Sequence, residues 1–323
     1  MNHNLTVERL SVQPEVSEVN DIAIEREPDR GVEPQETAVK ERSSRTLNIG
    51  FIGDIVGASG VKLTTRAVPF LRQEYQLDLC FANGENAAGG LGINKAVAEK
   101  LYNSGVDGIS LGNHAWGKWE LLETIQEDLR MVRPANGHKT WPGRGFAIFE
   151  TAVGLVALVN LLGGTFMSPS TSPFDEADVL IPYLKDELNI KYIVVDFHGE
   201  ATAEKIAFGL AWDGRVTAVL GTHTHVPTMD ARVLPDGTGF MTDVGMAGPE
   251  FGVIGMDAES ALRRFTRRLP SRYQLAKGPA ILNAVILRCD VDTGKTLALK
   301  PLTLRDQDIP PRVDVNQLKN ESE

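Results

Sequence analysis

The chain has 323 residues, 42% hydrophobic and 24% charged, which is typical of a soluble globular protein and excludes a wholly disordered or fibrous one. Its 33 basic and 43 acidic residues give a net charge of −10, which argues against a general affinity for nucleic-acid backbone or anionic lipid. Its two cysteines exclude a disulfide framework and are compatible with a single bridge. No apolar run of membrane-spanning length and no signal-peptide pattern occurs, so we expect a cytoplasmic protein without a membrane segment.

The two ends of the chain differ in composition from the middle. Residues 1–45 carry ten acidic and six basic residues, a net charge of −4, with three prolines and no sustained apolar period. Such a segment buries too little apolar surface to offset its chain entropy, so we predict a disordered acidic tail. We favour a solvated spacer over a partner-binding segment as its role. A single domain is predicted over residues 46–308, followed by a flexible tail over residues 309–323.

Between the tails, short runs of β-branched and apolar residues alternate with amphipathic stretches. This alternation predicts an α/β domain in which most strands are buried, and the last two runs predict a hairpin. The predicted strands are 47–53, 77–83, 106–111, 154–160, 192–197, 216–221, 239–244, 281–289 and 296–304, and the predicted helices include 94–104, 116–129 and 175–188.

Five of the apolar runs end in residues that bind metals or transfer protons. Because the carboxyl ends of strands in open α/β sheets converge on one crevice, we expect these side chains to meet there. Each motif alone is ambiguous, since Gly-Asp and Gly-Asn-His are more often turns, and two histidines at i and i+2 face the same way only if the backbone is extended. Their joint occurrence, with four of the six histidines at strand ends, favours a site. The candidates are Asp54, Glu85, Asn86, Asn113, His114, His198, His223 and His225.

Mixed nitrogen and oxygen donors of this kind suit iron, manganese or zinc better than calcium or magnesium. The seven candidates other than His114 are more ligands than one ion requires, and they suit two ions that share a carboxylate. Asp54 and Glu85 are the charged ligands, so two divalent ions would leave a charge of about +2 that attracts a phosphodiester anion. Metal binding lowers the pKa of water to ~7, which makes a hydroxide bridging the ions an available nucleophile. His114 is the predicted proton donor to the leaving oxygen.

The motifs GD (53–54), GEN (84–86), GNH (112–114), His198 and GTHTH (221–225) together resemble the calcineurin-like metallophosphoesterase signature. The longer strings GENAAGGLG (84–92), GNHAWGKWE (112–120), RPAN (133–136), DFHGEATAEK (196–205), GTHTHVPT (221–228) and TDVGMAGP (242–249) resemble the YmdB-type branch, whose members are described as 2′,3′-cyclic-nucleotide 2′-phosphodiesterases. The resemblance runs from Leu47 to Leu304. It implies a sandwich of two mixed β-sheets flanked by helices, and an enzyme that hydrolyses cyclic nucleotides or small phosphodiesters.

The same resemblance implies a role for each candidate residue. One ion would be held by Asp54, Glu85, Asn86 and His225, and the other by Glu85, Asn113, His198 and His223, with Glu85 bridging. His114 would be the catalytic proton donor. Iron or manganese is the metal that the resemblance favours, and the ligand set is also compatible with zinc. The sequence departs from the wider superfamily where Val56 replaces a histidine, and where Glu85 and Asn86 replace an aspartate pair.

Three further features each have two interpretations. The glycines of GGLG (89–92) either bring backbone close to a phosphate or form an ordinary flexible turn. Trp116 and Trp119 either pack in the core, which is the favoured interpretation, or form a wall against a nucleobase. Arg133 either contacts a phosphate or fixes a loop.

The leading hypothesis is a dinuclear-metal phosphodiesterase acting on 2′,3′-cyclic or 3′,5′-cyclic nucleotides, on small phosphodiesters or on RNA ends. A phosphomonoesterase or 5′-nucleotidase would use the same site, because specificity lies in the loops. A regulatory protein that binds metal and nucleotide, with the acidic tail recruiting a partner, is the alternative from another class. The acidic charge and the lack of a DNA-binding signature argue against a DNA-binding protein, and a homo-oligomer is compatible with the sequence.

Overall fold

The computed structural model describes residues 46–268 and 274–310. The acidic tail predicted over residues 1–45 lies outside the described residues, and so does the predicted C-terminal tail from residue 311 onward. Both tails therefore stay predictions.

Strands and helices alternate through most of the described chain, as the sequence predicts. The strands are β1 (Thr46–Ile52), β2 (Asp54–Ile55), β3 (Leu79–Asn83), β4 (Gly108–Ser110), β5 (Met131–Val132), β6 (Phe146–Thr151), β7 (Gly154–Leu162), β8 (Tyr192–His198), β9 (Ala218–Thr222), β10 (Arg232–Val233), β11 (Gly239–Met241), β12 (Met246–Pro249), β13 (Ala280–Asp290) and β14 (Thr296–Arg305). The helices are α1 (Gly57–Glu74), α2 (Lys95–Asn103), α3 (Glu120–Thr124), α4 (Pro173–Pro182), α5 (Thr202–Ala211) and α6 (Ala258–Arg267).

The strands form two mixed sheets. The first has the order β2-β12-β13-β1-β3-β4-β5, with β14 also paired to β13, and the second has the order β10-β11-β9-β8-β7-β6. In the first sheet β1, β3, β4 and β5 run parallel, and in the second β7, β8, β9 and β11 do. The predicted hairpin is confirmed, because β13 and β14 pair antiparallel. Within each sheet the parallel strands therefore end at a common edge.

Three buried apolar clusters hold the layers together. Side chains such as Phe81 of β3 and Val194 of β8 interdigitate between the two sheets. Leu63 and Leu101 bring α1 and α2 onto the outer face of the first sheet, and Phe208 brings α5 onto the outer face of the second. The predicted fold, two mixed sheets flanked by helices, is confirmed.

Two predicted helices differ from the structure. The helix predicted over 116–129 is wrong in extent, because the chain turns through 113–119 and α3 covers only Glu120–Thr124. A close backbone approach explains this, since a Cβ at Gly92 would lie 2.8 Å from the backbone nitrogen of Lys118. The helix predicted over 175–188 is present, but after Pro182 it widens into a π-helical turn, Tyr183–Glu187.

Candidate metal centre

The carboxyl ends of strands from the two sheets face one another, and their loops bring all eight candidate residues together. Nδ2 of Asn83 in β3 donates to Oδ2 of Asp196 in β8 at 2.9 Å. Oδ1 of Asn113, which follows β4, lies 2.9 Å from Nε2 of His198 at the end of β8. Each candidate has a side-chain atom within 3.9 Å of another, and the members are Asp54, Glu85, Asn86, Asn113, His114, His198, His223 and His225.

Two fully buried carboxylates lie at the centre of this cluster. Oδ2 of Asp54 accepts from the backbone N–H of His223 at 3.0 Å, whereas Oδ1 has no hydrogen-bond partner in the described part of the chain. Burial raises the pKa of Asp54. Burial also acts to raise the pKa of Glu85, but the imidazoles of His198 and His114 outweigh it and hold that pKa well below its usual range. An unpartnered, buried carboxylate oxygen is costly, so the centre is built for a cation.

The ring of His198 is oriented from behind by a hydroxyl and a carboxylate. Nδ1 lies 2.9 Å from Oγ1 of Thr222, whose hydroxyl donates to Oδ1 of Asp196 at 2.6 Å. Because that hydroxyl proton goes to the carboxylate, Thr222 accepts from Nδ1–H, and Nε2 faces the cluster. Nε2 lies 3.3 Å from Oε1 of Glu85. Burial opposes a proton on His198, yet Glu85 raises its pKa to about 9, so a proton or a metal ion can occupy the Nε2 position.

The GTHTH turn supplies the other two histidines in an unusual backbone conformation. His223 and His225 have φ values of 100° and 64°, in the left-handed region that non-glycine residues rarely adopt. The extended geometry considered for this pair is therefore wrong, although both rings reach the cluster. Nδ1 of His225 donates to the carbonyl of Ile254 at 2.9 Å, which leaves the lone pair on Nε2, 3.9 Å from Oδ1 of Asp54. Burial, helped by the charge of His198, lowers the pKa of His223 to about 3, which favours a neutral imidazole.

His114 borders the centre and is partly open to solvent, with 38% of its side chain exposed. Its backbone N–H donates to Oε2 of Glu85 at 2.9 Å, and Nδ1 lies 2.8 Å from Oδ1 of Asn86. Nδ2 of Asn86 donates to Oε1 of Glu85 at 3.0 Å, which fixes the amide with its oxygen toward the imidazole. Nδ1 of His114 must therefore carry a proton. The second ring nitrogen, Nε2, is left to exchange a proton with a bound molecule.

The residues present fit a metal ion. Oxygen and nitrogen donors of Glu85, His198 and His223 lie within 4.8 Å of one another, and the first two residues are buried. The unpartnered oxygen of Asp54 lies on the same cluster, 3.8 Å from Nδ1 of His198. Mixed carboxylate and imidazole donors suit first-row transition metals, which agrees with the coarse sequence-based prediction of a metal site.

A buried ion pair behind the GTHTH turn was not found by sequence reasoning. Lys205 of α5 and Asp243 are both buried, with Nζ 2.8 Å from Oδ2. Nζ also donates to the carbonyl of Thr222 at 2.7 Å, and Oδ2 accepts from the backbone N–H of Thr224 at 3.0 Å. The pair therefore holds the backbone on both sides of His223. Both residues lie in strings that carry the family resemblance, 196–205 and 242–249, but neither string indicates that the two side chains pair.

Similarity to known proteins agrees with this geometry. The model of the family described as YmdB-like protein matches residues 51–302. The chain belongs to the YmdB-like family. It is 42% identical over 260 residues to the 2′,3′-cyclic-nucleotide 2′-phosphodiesterase of Bacillus subtilis (strain 168), which covers 80% of this chain and 98% of that protein. It is 36% identical over 265 residues to a protein of Mycoplasma pneumoniae described as a putative phosphatase/phosphodiesterase, covering 80% of this chain and 93% of that one.

Solved structures of similar proteins share the fold. A hypothetical protein from Thermus thermophilus has a TM-score of 0.75 and 39% identity, covering 80% of this chain and 99% of that one. A Mycoplasma pneumoniae protein described as a novel phosphatase has a TM-score of 0.76 and 34% identity, covering 81% and 94%. The sequence-based family assignment and the prediction of a phosphoester-hydrolase enzyme are confirmed. Within the described residues, no helix has the length and apolar character needed to cross a membrane.

The structure distinguishes between the two interpretations of each remaining sequence feature. Trp116 packs against the helix side of the first sheet and contacts the edge of Trp141, as the core interpretation predicts. Trp119 is 81% exposed, so that interpretation is wrong for it. Arg133 donates from Nη1 to the carbonyl of Pro134 at 2.8 Å, which favours its loop-fixing role. The glycines of 89–92 take positive φ values of 74°, 87° and 69°, a defined turn that other residues would strain.

Proposed function

We propose that the chain hydrolyses 2′,3′-cyclic nucleotides and small phosphodiesters at this centre, with His114 as the proton donor. The observation that carries the proposal is the hydrogen bond from Nδ1 of His114 to Asn86, which leaves Nε2 free at the open side of a buried ligand cluster. The relatives described as phosphodiesterases support the same chemistry.

The ligand assignment is part of the proposal. One ion would be held by Asp54, Glu85, Asn86 and His225, and a second by Glu85, Asn113, His198 and His223, with iron or manganese preferred and zinc compatible with the donors. Glu85 would be the shared ligand, because it lies next to Asn86 of the first set in the chain and its Oε1 lies 3.3 Å from Nε2 of His198 in the second. When bound, two such ions polarise phosphoryl oxygens and lower the pKa of water to ~7.

The protein's own residues orient the ligand side chains and protonate the leaving oxygen. The buried imidazoles and carboxylates are fixed before substrate arrives, because Thr222 orients His198 and the carbonyl of Ile254 orients His225. In its protonated state, His114 donates from Nε2 to the leaving oxygen, while Asn86 holds the ring through Nδ1. Proton transfer by a positioned imidazole contributes ~10²–10⁴-fold to a rate.

The test compares cleavage of 2′,3′-cyclic AMP, 3′,5′-cyclic AMP and the monoester 3′-AMP by protein reconstituted with iron or manganese. We expect the 2′,3′-cyclic diester to react fastest, two metal ions per chain by mass spectrometry, and a His114→Ala variant that keeps both ions but loses about 100-fold in kcat. His138→Ala is the matched control, since that imidazole contacts Thr140 in an exposed loop. No turnover from protein that holds two ions would refute the proposal, and a faster monoester would replace it with a phosphomonoesterase.

A further inference from the structure

Helices α1 and α2 border a long open groove, the α1–α2 groove, which starts beside the ligand-bearing loop of the metal centre. It encloses about 1100 Å³, and Ala87, Ala88 and Gly89 line it directly after Glu85 and Asn86 in the chain. A Cβ added at Gly89 would meet nothing within 4 Å, so the loop backbone borders open space. This volume lies just above the ~300–1,000 Å³ usual for small-molecule sites, which favours an extended ligand.

The groove is positively charged although the chain is acidic. Lys62, Arg66, Lys100 and Lys118 line it, and no aspartate or glutamate does so in the described part of the chain. Arg66 pairs with Asp306 at 2.6 Å, whereas the three lysines have no ion-pair partner among the described residues. On a chain with a net charge of −10, such a concentration of unpaired lysines indicates an anionic ligand.

The length of the groove and the exposed Trp119 suggest the chemistry of that ligand. Along α1 the lining runs from Ala58 to Arg66, which corresponds to ~12 Å at 1.5 Å per residue. Phosphates along one strand of a duplex rise by ~3.4 Å and lie further apart in an extended single strand, so this length accommodates more than one phosphate. Trp119 directly follows the lining residue Lys118 in the chain and is 81% exposed, and exposed aromatic rings are surfaces on which the bases of single-stranded nucleic acids stack.

We propose that the α1–α2 groove binds the phosphodiester backbone of a single-stranded RNA whose 3′ end carries a 2′,3′-cyclic phosphate. The groove is lined by Ala87, Ala88 and Gly89, which directly follow Glu85 and Asn86, and the proposal places the terminal phosphate at the metal centre and the rest of the strand along the groove. This inference rests on the proposed hydrolysis of 2′,3′-cyclic phosphates and names a larger member of that substrate class. An acidic peptide would match the charge but would place no phosphate ester at the centre.

Binding is tested first, without turnover. Fluorescence anisotropy measures the Kd of the full chain for labelled hexauridylate ending in a 3′-phosphate, at a series of salt concentrations. Each backbone contact contributes about −0.7 to the slope of log K against log salt. We expect a Lys62→Ala/Lys100→Ala variant to lose about 1.4 from that slope and to bind about tenfold more weakly at low salt. Lys95→Ala is the matched control, because this lysine also lies on α2 but lines a different depression.

Turnover is tested second, as the ratio of kcat/KM for hexauridylate ending in a 2′,3′-cyclic phosphate to that for 2′,3′-cyclic UMP. We expect this ratio to exceed one and to fall about tenfold in the double variant, with no change in Lys95→Ala. Equal binding by the double variant and the intact chain would overturn the proposal, and so would equally tight binding of hexaglutamate. Lysine-dependent RNA binding without hydrolysis of either cyclic phosphate would support the groove and refute the proposed function, which separates the two failures.

Discussion

Replacement of Lys205 by methionine tests whether the buried pair behind the GTHTH turn holds the metal centre. Methionine keeps most of the volume but leaves Asp243 without its cation, and both groups are at most 1% exposed. Removal of one partner of a buried ion pair costs ~3–5 kcal/mol. Backbone N–H groups of Thr224 and Gly245 still donate to Asp243, at 3.0 and 2.8 Å. We therefore expect the loss of stability to lie at the lower end of this range, about 3 kcal/mol.

A loss of this size is measurable in two assays. At ~2–4 °C per kcal/mol, the Tm of Lys205→Met should fall by about 6–12 °C. Because Lys205 also donates to the carbonyl of Thr222, the backbone before His223 is released, and the bound metal measured by mass spectrometry should fall as well. A Lys205→Met/Asp243→Asn double variant should recover part of the loss, with a coupling energy of at least ~1 kcal/mol.

The control is Lys185→Met, which removes an exposed lysine from the helical turn after α4. It should change Tm by less than about 2 °C, in line with surface substitutions within ~0.5 kcal/mol. If Lys205→Met behaved like this control in both assays, the reasoning that the buried pair fixes the turn would be refuted.

Two further predictions concern contacts around His198. Thr222→Val removes the hydroxyl between His198 and Asp196 and should weaken metal binding ~10–100-fold in a titration, whereas Thr238→Val, also fully buried but bonded to Val216, should leave metal affinity unchanged. Gly112→Ala should abolish metal binding, because its Cβ would lie 2.4 Å from Oε2 of Glu85 and from Cδ2 of His198. Gly164→Ala, whose Cβ would make only an ordinary 3.4 Å contact, is its control; retained metal in Gly112→Ala would contradict the steric argument.

The sequence predicts the cluster well because its members sit at strand ends. Asp54, Glu85 and His198 each follow a run whose apolar character marks it as a buried strand, and parallel strands converge at one edge of a sheet. Mixed donor types then indicate a transition metal. Each motif, a polar residue at the end of an apolar run, can be recognised locally in the sequence. The occurrence of several such motifs in one chain made the prediction of a site specific.

Other parts of the site left no trace in local sequence. Trp119 has the helical spacing of a core residue, but the approach of the chain to Gly92 keeps 113–119 in turns and leaves its indole exposed. A net charge of −10 does not predict the basic α1–α2 groove. Lys62 and Lys100 lie on separate helices, and only the packing of both helices on the first sheet brings them side by side.

The sequence by itself determined the α/β alternation, the identity of the candidate ligands and the family, since each depends on residue type and spacing along the chain. Tertiary structure alone decided which atoms of those ligands face the cluster. Thr222 is supplied by the neighbouring strand β9 and Lys205 by a helix, and with Asp196 of β8 they orient His198 and the GTHTH turn through hydrogen bonds of 2.6–2.9 Å. The direction of a hydrogen bond depends on where two strands or a strand and a helix meet in space, and no period in a single chain encodes it.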